Sequence, residues 1–464
     1  MSEKRAFGFW DLTLYAVSMQ FGVRWLAVAA VTGAASLPLW AVAAALFLIP
    51  LSIAASELTG RFPEEGAIYA WTRDTYGHFA GFVCGWIYWV CNIPFFAGLL
   101  VFIANLLAIA LGPEHGAILT QPAALLAFSV LVSVAVALLH GAGLDVGKWV
   151  SVFSAGVTFV IVAVLIYAAI VLSAQRGSAT DFVHADYAPP LNADTAILWA
   201  TMVFGYGGAE GVALLRNNVR GGMPVVVRVL MAVAVLLAIG YVVGTSAILA
   251  IMPAAQASRL SGLPDALTFA LTQLGAPWLA PLILVALAFV FLGAYSAWFG
   301  VAARLPYAAG LDRDLPKAFA KQSKSGAPIV AIGFQTISVI VLVALSQAGA
   351  TLKGAYDYLS AMTILSFTLP YAFLFAVYLK VQKDKAADGV WTTPGGAGVA
   401  RWIGRIAIVA TWSAILCNLV PTSDTADKMG AVVKLVTSSA VLILGGAAIY
   451  VLNHRRRATD VGAE

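Results

Sequence analysis

Charge is what this chain of 464 residues has least of. Asp, Glu, Lys and Arg together make up 11% of it, against roughly 25% in an ordinary soluble domain. So few ions cannot solvate a water-facing surface of this size, and a soluble globular fold is excluded. Cysteine is scarce as well. Cys84, Cys91 and Cys417 all stand in apolar surroundings without metal-ligand spacing, so buried thiols are expected. No His/Asp cluster or nucleophile motif lies at the end of an apolar run, so neither enzymatic activity nor a metal or organic cofactor is expected. A cleavable leader is not expected either, because the stretch before Trp10 is short and polar and the first apolar run passes into a second without a cleavage site. Low-complexity segments and a soluble output domain are missing, and only ten residues follow His454. A membrane sensor is therefore disfavoured, as is a channel, for which repeated pore-lining motifs are wanting.

What is there is apolar: 61% of residues are hydrophobic, the composition of a polytopic membrane protein. A helix of about 20 residues crosses the roughly 30 Å hydrocarbon core. Apolar windows broken by polar or Gly/Pro turns predict an all-α protein with twelve transmembrane helices. These spans 1 to 12 lie near residues 10–33, 37–60, 79–111, 121–141, 147–173, 193–215, 225–251, 277–305, 328–347, 356–380, 402–421 and 430–452. The third and eighth exceed what a bilayer needs, which implies tilt. Residues 254–275 are expected to form a short helix outside it. With both termini cytoplasmic, 21 of the 27 Lys and Arg residues fall on the inner face and four, Arg176, Arg259, Lys353 and Lys428, on the outer. That bias sets the orientation of a multi-pass protein of the cytoplasmic membrane. It also explains the net charge of +5 without nucleic acid as a partner. The partners expected are a small-molecule substrate and the lipid bilayer, and a homodimer is one assembly open to the chain.

Two spans are interrupted by glycine. Span 6 reads Phe204-Gly205-Tyr206-Gly207-Gly208-Ala209-Glu210 at its centre, and span 1 reads Ser18-Met19-Gln20-Phe21-Gly22-Val23-Arg24. Three glycines in four positions favour unwinding at mid-depth, and irregular backbone survives in a bilayer only against protein or a watery cavity. A broken helix that also carries an ionisable residue is a candidate site for a polar solute. A glycine-lined packing seam is the alternative. Spans 1 and 6 stand five apart, an odd number, so equivalent helices run in opposite directions. This positional relation, with no residue-level identity behind it, predicts an inverted five-plus-five repeat: 10–173, then 193–380, with two peripheral helices in 402–452, all in one transmembrane transporter domain 1–464.

Three ordered strings resemble the amino acid–polyamine–organocation (APC) superfamily of permeases, and most of all its bacterial arginine/agmatine and glutamate/GABA exchangers. They are Glu57-Leu-Thr-Gly-Arg-Phe-Pro-Glu-Glu-Gly-Ala-Ile-Tyr-Ala-Trp71 after span 2, Gly85-Trp86-Ile-Tyr-Trp89 in span 3, and Ala303-Arg-Leu-Pro-Tyr-Ala-Ala-Gly-Leu-Asp-Arg-Asp-Leu-Pro-Lys317 after span 8. The resemblance covers about residues 8 to 380. It implies a substrate site between broken helices 1 and 6 and helices 3, 8 and 10, worked by alternating access. The predicted function is thus a secondary transporter of amino acids or related amines, an exchanger by preference, with a proton-coupled amino acid or polyamine importer as the alternative.

By the same resemblance, Glu210 occupies the place of the exchangers' gating glutamate, with Tyr88 and Tyr371 as its inner-gate companions. A carboxylate at a dry mid-depth is a candidate proton carrier. Trp298 matches a substrate-contacting tryptophan and Phe204 a central aromatic gate. Phe96 and Thr363 fall at lining positions, although a lone Thr in a membrane helix more often bonds its own backbone. Gly207 and Gly208 lie on the unwound stretch, as do Ser18, Gln20, Phe21 and Gly22 of span 1. There the chain departs from the family: Gln20-Phe21-Gly22 replaces Gly-Ser-Gly, removing backbone freedom. Arg24 follows inside the apolar span, at a cost of at least about 2.5 kcal/mol if unpaired. It is expected to face the cavity or a carboxylate and to favour an anionic or zwitterionic substrate. Snorkelling to the outer interface is the competing reading. Span 5 carries Ser154-Ala155-Gly156-Val157 where proton-coupled relatives often carry a lysine. Lys148 at its inner end reads as an anchor, and Asp145 and Asp384 as solvated or loop charges.

Overall fold

The structure, a computed structural model, describes residues 8–62, 67–142, 147–213, 215–216, 219–308, 314–348, 351–423, 425 and 427–461. Lys4, Arg5, Asp145, Asp312 and Arg313 lie outside them. Of Ser18, Lys148, Ser154 and Ala155 only the helical backbone is described. Every regular element among the described residues is a helix, and none is a β-strand.

Among them, ten helical runs are long and apolar enough to cross a membrane. The two expected spans that do not qualify are 1 and 6, and the reason is winding. Span 1 is divided into Phe9–Gln20 and Arg24–Ala30, span 6 into Ala193–Gly205 and Glu210–Ala213. No single piece reaches across. In span 1 the helix stops where Phe21 turns extended (φ −77°, ψ 93°). In span 6 it stops at Tyr206, and Gly208 takes φ +109°, a conformation that side chains with a Cβ rarely adopt.

Other departures from straight helices have local causes. In span 2 the chain widens into a π turn over Ala44–Leu48 just before Pro50, whose missing N–H cannot serve the carbonyl four residues back. The excess length of span 3 is used in two pieces, His78–Val90 and Asn92–Gly116, with a further kink at Gly112 (φ +78°) before Pro113. A helix over Ile68–Tyr76 joins spans 2 and 3, inside a string that the sequence shows only as a signature. The short helix outside the spans is Gly262–Gln273, within the expected 254–275.

Lipid is as apolar as leucine, so helices in a bilayer associate through close packing and hydrogen bonds rather than by escaping water. Small residues permit that approach. A Cβ at Gly244 would meet Leu26, one at Gly404 would meet Leu379, and one at Gly446 would meet Trp86, all within 3 Å. Spans 3 and 8 interlock through Phe96, Tyr295 and Phe299, with Ser133 of span 4 bonded to the Tyr295 hydroxyl at 3.0 Å. At the Arg61 end of span 2, buried Glu57 clamps the loop after span 10. Its Oε1 accepts from Arg61 and Gln382 and its Oε2 from the backbone N–H and hydroxyl of Thr393, all at 2.6–2.9 Å or 3.0 Å. Arg216 donates to the carbonyls of Thr59 and Phe62 at the same end.

Candidate functional site

The two interruptions meet. The phenol of Tyr241, on span 7 (Met223–Ile251), lies between them. It accepts from the Gly22 N–H at 3.0 Å, and its own hydrogen has the Gly205 carbonyl at 3.0 Å and the Gln20 carbonyl at 3.3 Å. Backbone freed by unwinding must be satisfied by something, and here one side chain serves both breaks. Its ring is stacked on Trp40 at 4.2 Å, which fixes the hydroxyl in place. The Gln20 side chain lies against Gly208, where a Cβ would stand 2.9 Å from Gln20 Cγ.

Next to this staple is a carboxyl group. Glu210 opens the second half of span 6 and is 1% exposed. Its Oε1 accepts two phenol hydrogens, from Tyr88 of span 3 at 3.2 Å and from Tyr371 of span 10 at 3.0 Å. Tyr371 in turn accepts from the Gly208 N–H at 2.8 Å. Gly207 must be glycine for this, since a Cβ would fall 2.5 Å from the Tyr371 hydroxyl. The Oε2 atom of Glu210 is buried with no hydrogen-bond partner.

On the other side of the break stands Arg24, 3% exposed. It is embedded in protein and does not extend to an interface. Its guanidinium lies 4.3 Å from the Trp25 ring and 5.2 Å from that of Phe95, and Nη1 is buried without a partner. Phe204 connects the two walls of this enclosure, packing edge-on to Trp25 at 5.2 Å and to Phe367 at 5.5 Å, while Phe367 meets Phe95 at 6.0 Å.

The predicted residues therefore fall into groups. Glu210, Tyr88, Tyr371, Gly207 and Gly208 form one bonded unit, and Gln20 and Gly22 adjoin it. Arg24 and Phe204 belong to the aromatic enclosure. Phe21 turns toward span 7, against Tyr241 at 4.9 Å and Gly240. Phe96 is buried against span 8. Trp298 is partly buried against the core and takes no part in the ring contacts of the enclosure. Thr363 donates to its own helix at Leu359, at 2.7 Å. The side chain of Ser18 lies outside the described residues.

Sequence reasoning missed Tyr241, Trp25, Phe95 and Phe367. A signal existed for the first: a phenol in the middle of an apolar span needs a partner when buried, and broken helices are where partners are wanting. Among the described residues, no group of three or more His, Cys, Asp or Glu side chains is placed to hold a metal.

The chain matches the amino acid permease family over residues 7–448. An uncharacterized transporter of Legionella pneumophila is 24% identical over 452 residues, 97% of this chain and 96% of that one. A probable agmatine/putrescine antiporter of Lactococcus lactis is 22% identical over 461 residues, 95% of each. In fold, the chain is similar to the crystal structure of a manganese transporter from Eremococcus coleocola, with a TM-score of 0.62 at 14% identity over 96% of this chain and 94% of that one. Broken spans, a buried carboxyl beside them and a family match over nearly the whole length agree: the chain belongs to the amino acid permease family of the APC superfamily.

Proposed function

We propose that this protein is a secondary transporter that carries amino acids or related amines across the cytoplasmic membrane by alternating access, as an exchanger. The observation that carries the reading is the state of three buried polar atoms at the two interruptions. Gln20 Oε1, Arg24 Nη1 and Glu210 Oε2 all lack a hydrogen-bond partner. Each such atom costs about 1–3 kcal/mol, and a charged one more. A bound solute with donors at one end and acceptors at the other relieves that cost, and an amino acid has both. The aromatic ring of Phe204 lies on the Arg24 side of the solute position. The Glu210, Tyr88 and Tyr371 unit closes the opposite side, toward the cytoplasm if the basic residues set the orientation as expected. The two five-helix repeats, 10–173 and 193–380, supply the two parts that move relative to each other. Trp298, Phe96 and Thr363 line the path in a conformation other than this one.

Counterflow in proteoliposomes tests the proposal. Protein loaded with one unlabelled amino acid should accumulate a labelled amino acid from a panel of glutamate, GABA and neutral amino acids. Failure of every amino acid and amine to exchange would refute it. The bare Oε2 of Glu210 supports a second reading, proton-coupled import. In that case a pH-sensitive dye inside the liposomes records acidification with substrate entry, which a strict exchanger does not produce.

A further inference from the structure

We propose that Arg24 is the carboxylate anchor of this site, and that the substrate is an amino acid bearing a free carboxylate and no net positive charge. This rests on the transport reading above and narrows it.

A guanidinium inside a membrane protein is ordinarily paired with an acid or bonded to backbone carbonyls. Arg24 has neither. It is 3% exposed, pairs with no carboxylate among the described residues, has the Tyr356 hydroxyl beside it, and its Nη1 is buried without a hydrogen-bond partner. The ionisable groups that act on it most are two phenols, Tyr356 and Tyr241. The acid next in sequence to Tyr356, Asp357, faces Arg259 at 3.9 Å. The Tyr356 hydroxyl is itself buried without a partner, so a second donor waits beside the first.

The rings of Trp25 and Phe95 stabilise the cation through their faces. That contact leaves Nη1 without a partner, and a planar fork of N–H donors is the geometry that a carboxylate matches with two parallel bonds. The other unpaired atoms of the site, Gln20 Oε1 and Glu210 Oε2, are oxygens and suit an ammonium. An amino acid with its carboxylate on Arg24 and its ammonium toward Gln20 satisfies both ends. The aromatic enclosure of Phe204, Phe95 and Phe367 then receives the side chain.

A substrate with a second positive group and no carboxylate fits poorly. Placed about 5 Å from Arg24 in a medium of effective dielectric about 20, its cation is disfavoured roughly 100-fold. The relative named as a probable agmatine/putrescine antiporter thus differs from this chain in what the site admits, although the fold is shared.

The test pairs compounds that differ only in the carboxylate. Wild-type protein in liposomes is assayed by counterflow with labelled leucine against isoamylamine, phenylalanine against phenethylamine, glutamate against GABA, and with agmatine and putrescine. The expected result is exchange of at least one amino acid with its fully decarboxylated amine weaker by about 100-fold, and no exchange of agmatine or putrescine. The glutamate and GABA arm separates an anionic from a zwitterionic substrate. Arg24→Gln should bring the ratio between amino acid and amine close to one, and Arg24→Lys should restore part of it. Exchange of putrescine or agmatine as readily as any amino acid overturns the inference, while leaving transport itself intact. So does an Arg24→Gln variant that keeps the wild-type ratio. If that variant does not fold, the wild-type pairs decide alone. If no compound exchanges, the transport reading falls and this inference falls with it.

Discussion

Tyr241→Phe is the sharpest test of how the site is held. The substitution leaves the ring, its stack on Trp40 and its packing against Tyr206 and Phe21 in place, and it removes one oxygen. That oxygen accepts from Gly22 N–H and donates to the Gly205 carbonyl, each at 3.0 Å. Without it, an N–H in an unwound segment is orphaned in a water-poor interior, at about 1–3 kcal/mol, and a carbonyl loses a bond worth about 1 kcal/mol. The sum is about 2–4 kcal/mol, or roughly a 10²-fold change in the folding equilibrium. Because both lost bonds sit on the interruptions, the damage should concentrate there: weaker substrate binding together with a lower thermal midpoint in detergent. Tyr295→Phe provides the control. It also deletes a buried phenol oxygen, but one bonded to a single hydroxyl, that of Ser133, so about 1 kcal/mol is at stake and exchange should persist. Measuring thermal midpoints and counterflow for both variants decides the matter. Equal effects of the two substitutions, or wild-type exchange affinity in Tyr241→Phe, would refute the reasoning.

Glu210→Gln keeps an acceptor for the Tyr88 and Tyr371 hydroxyls but has no titratable proton. Exchange should survive with a flattened pH profile, and an unchanged profile in counterflow would make Glu210 a structural acid. Gly208→Ala puts a methyl carbon 2.9 Å from Gln20 Cγ at a φ of +109°, at about 1–2 kcal/mol for the conformation alone. Its substrate affinity should fall well below that of the neighbouring Gly211→Ala, where a Cβ meets nothing within 4 Å. Glu57→Ala strands Arg61 and removes the four donors' acceptor, so chemical denaturation should show a loss of about 3–5 kcal/mol. In the helix Gly262–Gln273, burial raises the Asp265 carboxyl above its ordinary range, against a lowering bond from Ser261. A raised folded value destabilises the ionised form, so the penalty is present above the folded value and disappears below the unfolded one. Asp265→Asn should therefore raise the thermal midpoint at neutral pH and have no such effect in acid.

The fold was legible because a bilayer leaves a chain so few options. Apolar windows located the helices, and the interruptions at Gly22 and at Gly205, Gly207 and Gly208 were visible as glycine where an apolar side chain belongs. The carboxyl at Glu210 was conspicuous for the same reason, an ion in an apolar run. Tyr88 and Tyr371 came from the family resemblance, and nothing in their local sequence singles them out. Tyr241 escaped notice because its role depends on which helix packs against the breaks, information held in tertiary contacts and not in any window. The aromatic enclosure around Arg24 was hidden likewise: Trp25, Phe95, Phe204 and Phe367 come from four spans and share no spacing. Helix Ile68–Tyr76 was concealed by the polar residues that flank it, which read as a loop.

The bonds of Tyr241 and those of Glu210 belong to different mechanical classes. The first tie spans 1, 6 and 7 to one another, and under the proposed transport reading these three move as a single lever. The second tie that lever to spans 3 and 10 through two phenols. In the proposed cycle, opening the Glu210 side means releasing those two hydroxyls together with the Gly208 N–H bond to Tyr371 and the Phe204–Phe367 contact. That junction is a small polar latch, and any group that takes one of its bonds in trade acts as the key.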